Sequence, residues 1–524
     1  MGGAEVSPRK QGATATVQVP AHESSGSWWH SDAAVLLLIA VVFVLAHFVT
    51  NAPYGFHRDE LATLDDAQHM EWGFVAYPPL TPAVGRLEMT LFGTSTFAVR
   101  IIPTLALGFV VFLSGLIARE FGGRRKAQVL TALAVSIIPI VSIETNVLQY
   151  VSFDYFFGVL LTYCVVRLLN TEDPRWWVAI GAVIGLGMMT KYTMAFFVVG
   201  LAVGVFLTSA RRLLLNRWLF IGVALSLLIF FPNLIWQVQH DFISLTFLKY
   251  IHARDIRLGR TKDFLPEQTF VCTSILMLPL VFMGLWFYFT KGGRKYRLLG
   301  WMFLGILVLF VIAQAKSYYP GPMYPVVLAA GAVVWERWVS GRSQGTSLAI
   351  QSVTWLFVVA GSVLTFALFT PVAPVNSLIW RVTARLQDNY REEIGWTDLV
   401  ENVARVYQSI PTDERSRTGI MVGNYGEAGA INLYGSKYGL PPAISGTNSL
   451  WYRTYPNSEP QTLVVVGWDP DDAHRLFQSC ELAAHNTNSY GVRNEESRDH
   501  PYIFVCRQMR IPWYKFWPLF QQFG

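Results

Sequence analysis

The 524-residue chain is 52% hydrophobic and 14% aromatic, with 15% charged residues and a formal net charge of +6. A soluble globular chain carries about 25% charged residues, and here the apolar residues come in runs rather than in alternation, so the sequence reads as an integral membrane protein with a modest polar part. Much of the positive charge lies in short loops, where it orients a membrane protein; with no RNA- or DNA-binding motif, no nucleic-acid partner is expected.

Residues 1–32 are rich in Ser, Gly and Ala and read as a disordered cytoplasmic tail. The apolar run at 33–50 starts too late for a signal peptide and has no convincing cleavage site, so it is expected to be an uncleaved first span. Further spans are expected at 97–118, 127–144, 153–169, 176–190, 193–209, 217–234, 269–290, 298–315, 321–338 and 348–370, about eleven in all. Lys and Arg gather in alternate loops, at Arg119 to Lys126, Arg167 to Arg175, Arg211 to Arg217, Lys291 to Arg297 and Arg337 to Arg342. That side is expected to be the cytoplasm. Loops 51–96, 145–152, 191–192, 235–268, 316–320 and everything after 371 are then expected to face outward. Loop 235–268 is basic although outward. It reads either as a long solvated loop or as a surface that attracts an anionic headgroup or a pyrophosphate-like substrate.

Residues 371–524 differ in kind. A helix-like stretch at 396–410 alternates with strand-like stretches at 419–423, 462–467, 480–485 and 502–506, which predicts a small α/β domain. The final IPWYKFWPLFQQFG is expected at the membrane interface, where Trp and Tyr are favoured. Four cysteines are too few for a disulfide scaffold. Cys164 and Cys272 fall in apolar runs and read as core residues. Cys480 and Cys506 can pair if this region faces an oxidising compartment.

Chemistry-bearing residues concentrate in the first outer loop, around His57-Arg58-Asp59-Glu60 and Tyr77-Pro78-Pro79. Adjacent helical residues point about 100° apart, so Asp59 and Glu60 cannot both aim at one atom. One is expected to be the chemical group and the other its support; the alternative is a pair of solvated acids. Asp65 and Asp66 read as a solvated helix face. Glu144 and Asp154 stand at the outer ends of spans, where an ionisable group costs at least about 2.5 kcal/mol to insert, which makes each a functional candidate unless it sits in interfacial water. Lys191 and Lys316 stand at span ends and suit either an anionic substrate group or snorkelling to headgroups. GNYGEAG at 423–429 is not a G-x-G-x-x-G loop and reads as a strand-to-helix turn. His57, His69, His240 and His252 lack a zinc spacing. A divalent metal is therefore possible but unsupported, and no cofactor is required.

The order of these motifs resembles the GT-C fold membrane glycosyltransferases, above all glycosyltransferase family 39, with its protein O-mannosyltransferases and aminoarabinose transferases. The resemblance rests on Arg58-Asp59-Glu60, Tyr77-Pro78-Pro79, Asp154, TKYT around Lys191, PNLIWQVQHDF from Pro232 and KSYYPGPMYP from Lys316. It implies a bundle at 33–370 with a catalytic first outer loop at 51–96, and an extracytoplasmic domain at 371–524. It also implies an inverting enzyme that moves a sugar from a polyprenyl phosphate to a glycan, lipid or protein hydroxyl outside the membrane. Carried over, Asp59 is the general base, Glu60 its neighbour and Asp154 the second acidic position. His57, Arg58, Tyr77, Glu144, Lys191, Lys316, Tyr318 and Tyr319 are the substrate-binding candidates. The aminoarabinose enzymes carry Lys directly before Pro-Pro, where this chain has Tyr77, so the phosphate clamp is expected from Arg58, Lys191 and Lys316. A transporter or flippase of a lipid-linked sugar is the competing reading; it would usually show internal repeats and broken helices at the midplane.

Overall fold

The computed structural model describes residues 31–524, so the expected N-terminal tail lies almost entirely outside the described residues. The helices of the bundle are α1 (Asp32–Thr50), α2 (Arg58–Gln68), α3 (Leu80–Phe92), α4 (Ile101–Glu120), α5 (Arg125–Ser136), α6 (Pro139–Glu144), α7 (Tyr150–Thr171), α8 (Trp176–Met188), α9 (Met194–Phe206), α10 (Arg217–Gln239), α11 (Ile243–Arg257), α12 (Phe264–Phe270), α13 (Leu278–Phe289), α14 (Arg297–Ile312), α15 (Tyr324–Ser340) and α16 (Gln344–Phe369). Among the described residues, six helices are long and apolar enough to cross a membrane, or seven if the bent pair formed by Phe264–Phe270 and Ile275–Phe289 is one span.

This count does not confirm the expected eleven, because several of the expected stretches form shorter helices. The stretch 127–144 breaks at Ile137-Ile138 before Pro139, because proline opens α6 and cannot continue α5. The stretches at 176–190 and 193–209 are two short apolar helices, α8 and α9, joined through Lys191. The basic segment 235–268 is helical: α10 ends at Gln239, and Asp241 and Phe242 take positive φ before α11 begins.

Small residues set the closest helix approaches. A Cβ on Gly181 would lie 2.0 Å from the Gly222 carbonyl oxygen, so α8 and α10 meet backbone to backbone. α13 packs on α15, α9 on α14, and α4 on α1, α5 and α7.

Beyond α16 come α17 (Leu378–Leu386), α18 (Asn389–Glu392), α19 (Trp396–Ser409), α20 (Thr412–Arg415), β1 (Thr418–Val422), α21 (Tyr425–Tyr434), β2 (Ala443–Ile444), α22 (Leu450–Arg453), β3 (Thr462–Val466), α23 (Pro470–Leu476), β4 (Phe477–His485), α24 (Glu495–Arg498), β5 (Tyr502–Met509) and α25 (Trp513–Phe520). The strands form one five-stranded sheet in the order β2-β1-β3-β5-β4. β1 is parallel to β2 and β3, while β5 runs antiparallel to β3 and β4. β1 and β3 are buried on both faces and read as unbroken apolar runs. In the segment expected at the membrane interface, Trp513, Phe516, Trp517 and Phe520 of α25 pack against Met421, Leu463 and Val465 of the sheet, while Tyr514 and Leu519 stay exposed.

Cys480 of β4 and Cys506 of β5 are register partners joined by a disulfide, and Cys164 and Cys272 are free and buried. Alkylation of the denatured chain without reductant should therefore label two of the four cysteines, and all four after reduction, by intact mass. Four labels without reductant would show the pair to be reduced.

Candidate active site

The site is built on the N-terminus of α2. His57 is the N-cap: its Nδ1 accepts the Asp59 N–H at 3.2 Å, while its own backbone N–H donates to Glu60 Oε2 at 2.8 Å. This is a capping box with histidine in place of the usual Ser or Thr. Glu60 is fully buried and faces inward, where Arg100 Nε donates to its Oε1 at 2.8 Å and Arg100 Nη2 pairs with its Oε2. The Leu148 N–H also donates to Oε1 at 2.8 Å. Arg100, itself fully buried, spends its remaining donors on the carbonyls of Asn51 at 2.6 Å and Gly55 at 3.0 Å. Glu60 thus ties the loop to the head of α4 and stands off the cavity wall.

Asp59 diverges from it, as the 100° step requires. Its carboxylate keeps 30% exposure and lines a cavity of about 480 Å³. The Tyr425 hydroxyl donates to Oδ1 at 2.8 Å and Gln149 Nε2 donates to Oδ2 at 2.5 Å. Burial opposes ionisation of Asp59, but the neighbouring His57, these two donors and nearby Arg58 outweigh it and hold the carboxyl below the usual carboxylate range. Burial in turn lowers the pKa of His57, against the pull of the Asp59 and Glu60 carboxylates.

The cavity also holds cations. Lys191 lines it and is 8% exposed; its ammonium has no hydrogen-bond acceptor in this structure. Asp154 Oδ2 stands 3.9 Å away, held by the Thr193 hydroxyl, which donates to Oδ1 at 2.9 Å. The rings of Tyr150, Tyr318 and Tyr319 surround the ammonium at 4.9, 4.7 and 4.3 Å from their centroids. Cation–π contact stabilises the charge without consuming its donors. Lys249, Arg254 and Lys316 line the same cavity. Asp255 holds Lys316 at 3.2 Å and is itself 2% exposed. Leu245, Phe247, Leu248, Phe196 and Phe310 give the cavity an apolar wall.

The structure therefore gathers Asp59, Tyr77, Lys191, Lys316 and Tyr319 around one cavity, with Asp154 and Tyr318 packed about the Lys191 ammonium. It separates the others. Arg58 pairs with Glu495 and lies 3.7 Å from Glu496, its guanidinium over the Tyr425 ring, so its charge is already met by the C-terminal domain. His57 serves as the cap, and Glu144 is buried off the cavity wall. Asp65 and Asp66 are not a solvated face. They are 3% and 6% exposed, and Arg453 Nη2 reaches both, at 2.7 Å for Asp66 Oδ1. Asn432 donates to Asp65 Oδ1 and the Tyr77 hydroxyl to Asp66 Oδ2, each at 2.7 Å. Tyr425, Gln149, Tyr150 and Arg453 were not singled out by sequence; only GNYGEAG, observed as the turn between β1 and α21, marked the neighbourhood. Among the described residues, no group of three or more His, Cys, Asp or Glu side chains is placed to hold a metal ion.

Removing one partner of a buried ion pair leaves an uncompensated charge and costs about 3–5 kcal/mol. Glu60→Ala should lose stability of that order in detergent melts, and Glu60→Leu with Arg100→Met should recover most of it. Equal melting of Glu60→Ala and wild type would show that the pair does not hold the loop.

Residues 76–236 match the dolichyl-phosphate-mannose-protein mannosyltransferase family. The lipid A galacturonosyltransferase RgtD of Rhizobium johnstonii is 23% identical over 304 residues, 55% of this chain and 60% of that protein. An undecaprenyl phosphate-alpha-4-amino-4-deoxy-L-arabinose arabinosyl transferase of Pseudomonas fluorescens is 26% identical over 278 residues, 49% of each chain. The chain thus spans about half to three-fifths of these relatives' lengths. ArnT from Cupriavidus metallidurans, solved bound to undecaprenyl phosphate, superposes with a TM-score of 0.54 at 16% identity, over 90% of this chain and 97% of that one. The apo structure of the same protein superposes equally well, with a TM-score of 0.54. The chain has the GT-C fold of these membrane glycosyltransferases, and its likeness in sequence is to the family 39 type.

Proposed function

We propose that the protein is an inverting glycosyltransferase that moves a sugar from a polyprenyl phosphate to an acceptor hydroxyl at the outer face of the membrane. One observation carries this reading: a single cavity holds an ionised carboxylate, Asp59, together with a lysine, Lys191, whose ammonium lacks an acceptor. The relatives named above act on lipid A or use an undecaprenyl-phosphate sugar, which supports the same donor class.

In this mechanism Asp59 takes the acceptor hydroxyl's proton as its oxygen attacks the anomeric carbon. The bond from that carbon to the phosphate oxygen breaks, and its electron pair leaves with the polyprenyl phosphate. One displacement inverts the anomeric centre. Lys191, with Lys316 and Arg254 lining the same cavity, meets the charge that develops on the departing phosphate. Asp154 acts as a positioning residue through Lys191, and Glu60 through the loop that carries Asp59. The apolar wall suits the first isoprene units of the donor.

The outward orientation of residues 371–524 is part of the proposal. A disulfide at Cys480–Cys506 suits an oxidising compartment, and the alternate-loop positive charge agrees. A cysteine placed at Asp471 should react with an impermeant maleimide added to intact cells; labelling only after permeabilisation would reverse the topology.

Transfer by the purified protein from a panel of polyprenyl-phosphate sugars, with membrane extract as acceptor, tests the function. Asp59→Asn should lower it by about 10²–10⁴ with donor binding kept. Movement of lipid-linked sugar across vesicles, lost in the variant and without transfer by the wild type, would favour the flippase.

The pH profile follows from the donors on Asp59. A base must be ionised, and its depressed pKa keeps activity until pH falls below the usual carboxylate value of about 3.9. Tyr425→Phe removes one donor to the carboxylate, a bond of about 1.5–3 kcal/mol. The acid limb should therefore move upward by about one to two units, since one unit is 1.36 kcal/mol. An unmoved limb would mean that Asp59 is not the titrating base.

A further inference from the structure

Helix α17 carries a face that nothing among the described residues covers. Leu378, Ile379, Val382 and Leu386 are 79%, 58%, 46% and 61% exposed. At 100° per residue these four positions fall within one arc of about 100°. Trp380, Thr383 and Ala384 on the opposite face are buried against the domain. Arg381 and Arg385 are exposed and project beside the apolar arc.

The helix begins at Leu378, shortly after the apolar helix α16 ends at Phe369. In the most apolar window of α16 only 17% of the residues are buried, which leaves most of that span for lipid. The apolar arc of α17 therefore begins just beyond the end of an apolar span that the protein leaves largely uncovered. A short helix with an apolar arc flanked by arginines fits a bilayer surface, with acyl chains under the arc and phosphates at the guanidinium groups.

We infer that α17 is a membrane-surface helix, seated on phosphate-bearing lipid, that holds the C-terminal domain at the bilayer. It has a mechanical route to the site. Trp380 and Ala384 share a core cluster with Tyr390, Ile394 and Tyr54 of the first outer loop. The Glu393 carbonyl accepts the Gly55 N–H at 3.0 Å, and Glu393 Oε2 lies 3.9 Å from Arg100, the residue that fixes Glu60 beside Asp59. Seating of α17 thereby fixes the entry to α2. None of this depends on the proposed transferase activity.

The test is depth measurement on the full chain in nanodiscs of phosphatidylethanolamine and phosphatidylglycerol. Spin labels are placed singly by Val382→Cys or Leu386→Cys, with Asp471→Cys as the solvent reference. The native thiols are buried or disulfide-bonded, so each label is specific. Residues 382 and 386 should collide more often with oxygen than with a polar nickel chelate, by several-fold relative to residue 471. Replacing both Arg381 and Arg385 by Gln should shift residue 382 toward the aqueous ratio. Nickel accessibility at 382 and 386 equal to that at 471 would overturn the inference. So would exclusion of both reagents together with 382–382 crosslinking between copies, which would make the face a dimer contact.

Discussion

The guanidinium of Arg100 is the constraint on which the site depends. It is fully buried, and every hydrogen-bond acceptor it finds lies between Asn51 and Glu60: Glu60, Asn51 and Gly55, with the Glu393 carboxylate 3.9 Å away. Taking such a charge out of water is costly, and only complete pairing makes it tolerable. The loop therefore cannot relax without leaving the charge bare. Because Glu60 is also part of the cap of α2, the same ion pair sets where that helix starts and which way its first turn faces. Asp59 points at the cavity because its neighbour points at Arg100.

The electrostatics of the cavity follow from two different ways of stabilising charge. Asp59 receives direct hydrogen bonds from Tyr425 and Gln149 beside the His57 ring. Lys191 is surrounded instead by three aromatic rings and a carboxylate too distant for a normal hydrogen bond. The first arrangement fixes an acceptor in place for one proton. The second leaves donors uncommitted while holding the charge, which is what a group awaiting an anion requires. The carboxylate and the ammonium that share the cavity are thus prepared differently before any ligand arrives.

How much of this could be read from the sequence depended on range. The acidic cluster at 58–60 stood out because charge is scarce next to a span, and the 100° argument separated the two acids although it could not say which faced inward. Lys191 and Asp154 were visible because ionisable groups at span ends are costly. The α/β character and the main strands of the C-terminal domain were legible from apolar runs between turn signals, to within a few residues. Long-range partners were not. Asp65 and Asp66 looked solvated because Arg453 lies 388 and 387 positions away. Tyr425 is 366 positions from Asp59, and no local pattern announces it. Arg58 looked like a free cation for the same reason, its partners being Glu495 and Glu496. The basic segment after α10 hid a helix because its charges masked the apolar side that faces the cavity.

Those long-range contacts change what the C-terminal domain is for. It could have been a separate module tethered by α16. Instead Tyr425 holds Asp59, Arg453 reaches Asp65 and Asp66, and Glu495 and Glu496 neutralise Arg58. Each of the four ionisable positions along the face of α2, at 58, 59, 65 and 66, is completed by the domain. Helix α21 lies so close on α2 that a Cβ at Gly429 would stand 2.6 Å from the Leu61 carbonyl oxygen. Only glycine permits that approach, and the approach is what brings the Tyr425 hydroxyl within 2.8 Å of the carboxylate. Without the domain, Arg58 would lose its carboxylate partners, Asp65 and Asp66 would lose Arg453, and the carboxyl of Asp59 would lose one of the donors that hold its pKa down. The bundle supplies Lys191 and Gln149, the domain supplies Tyr425, and the chemical state of Asp59 is set by both.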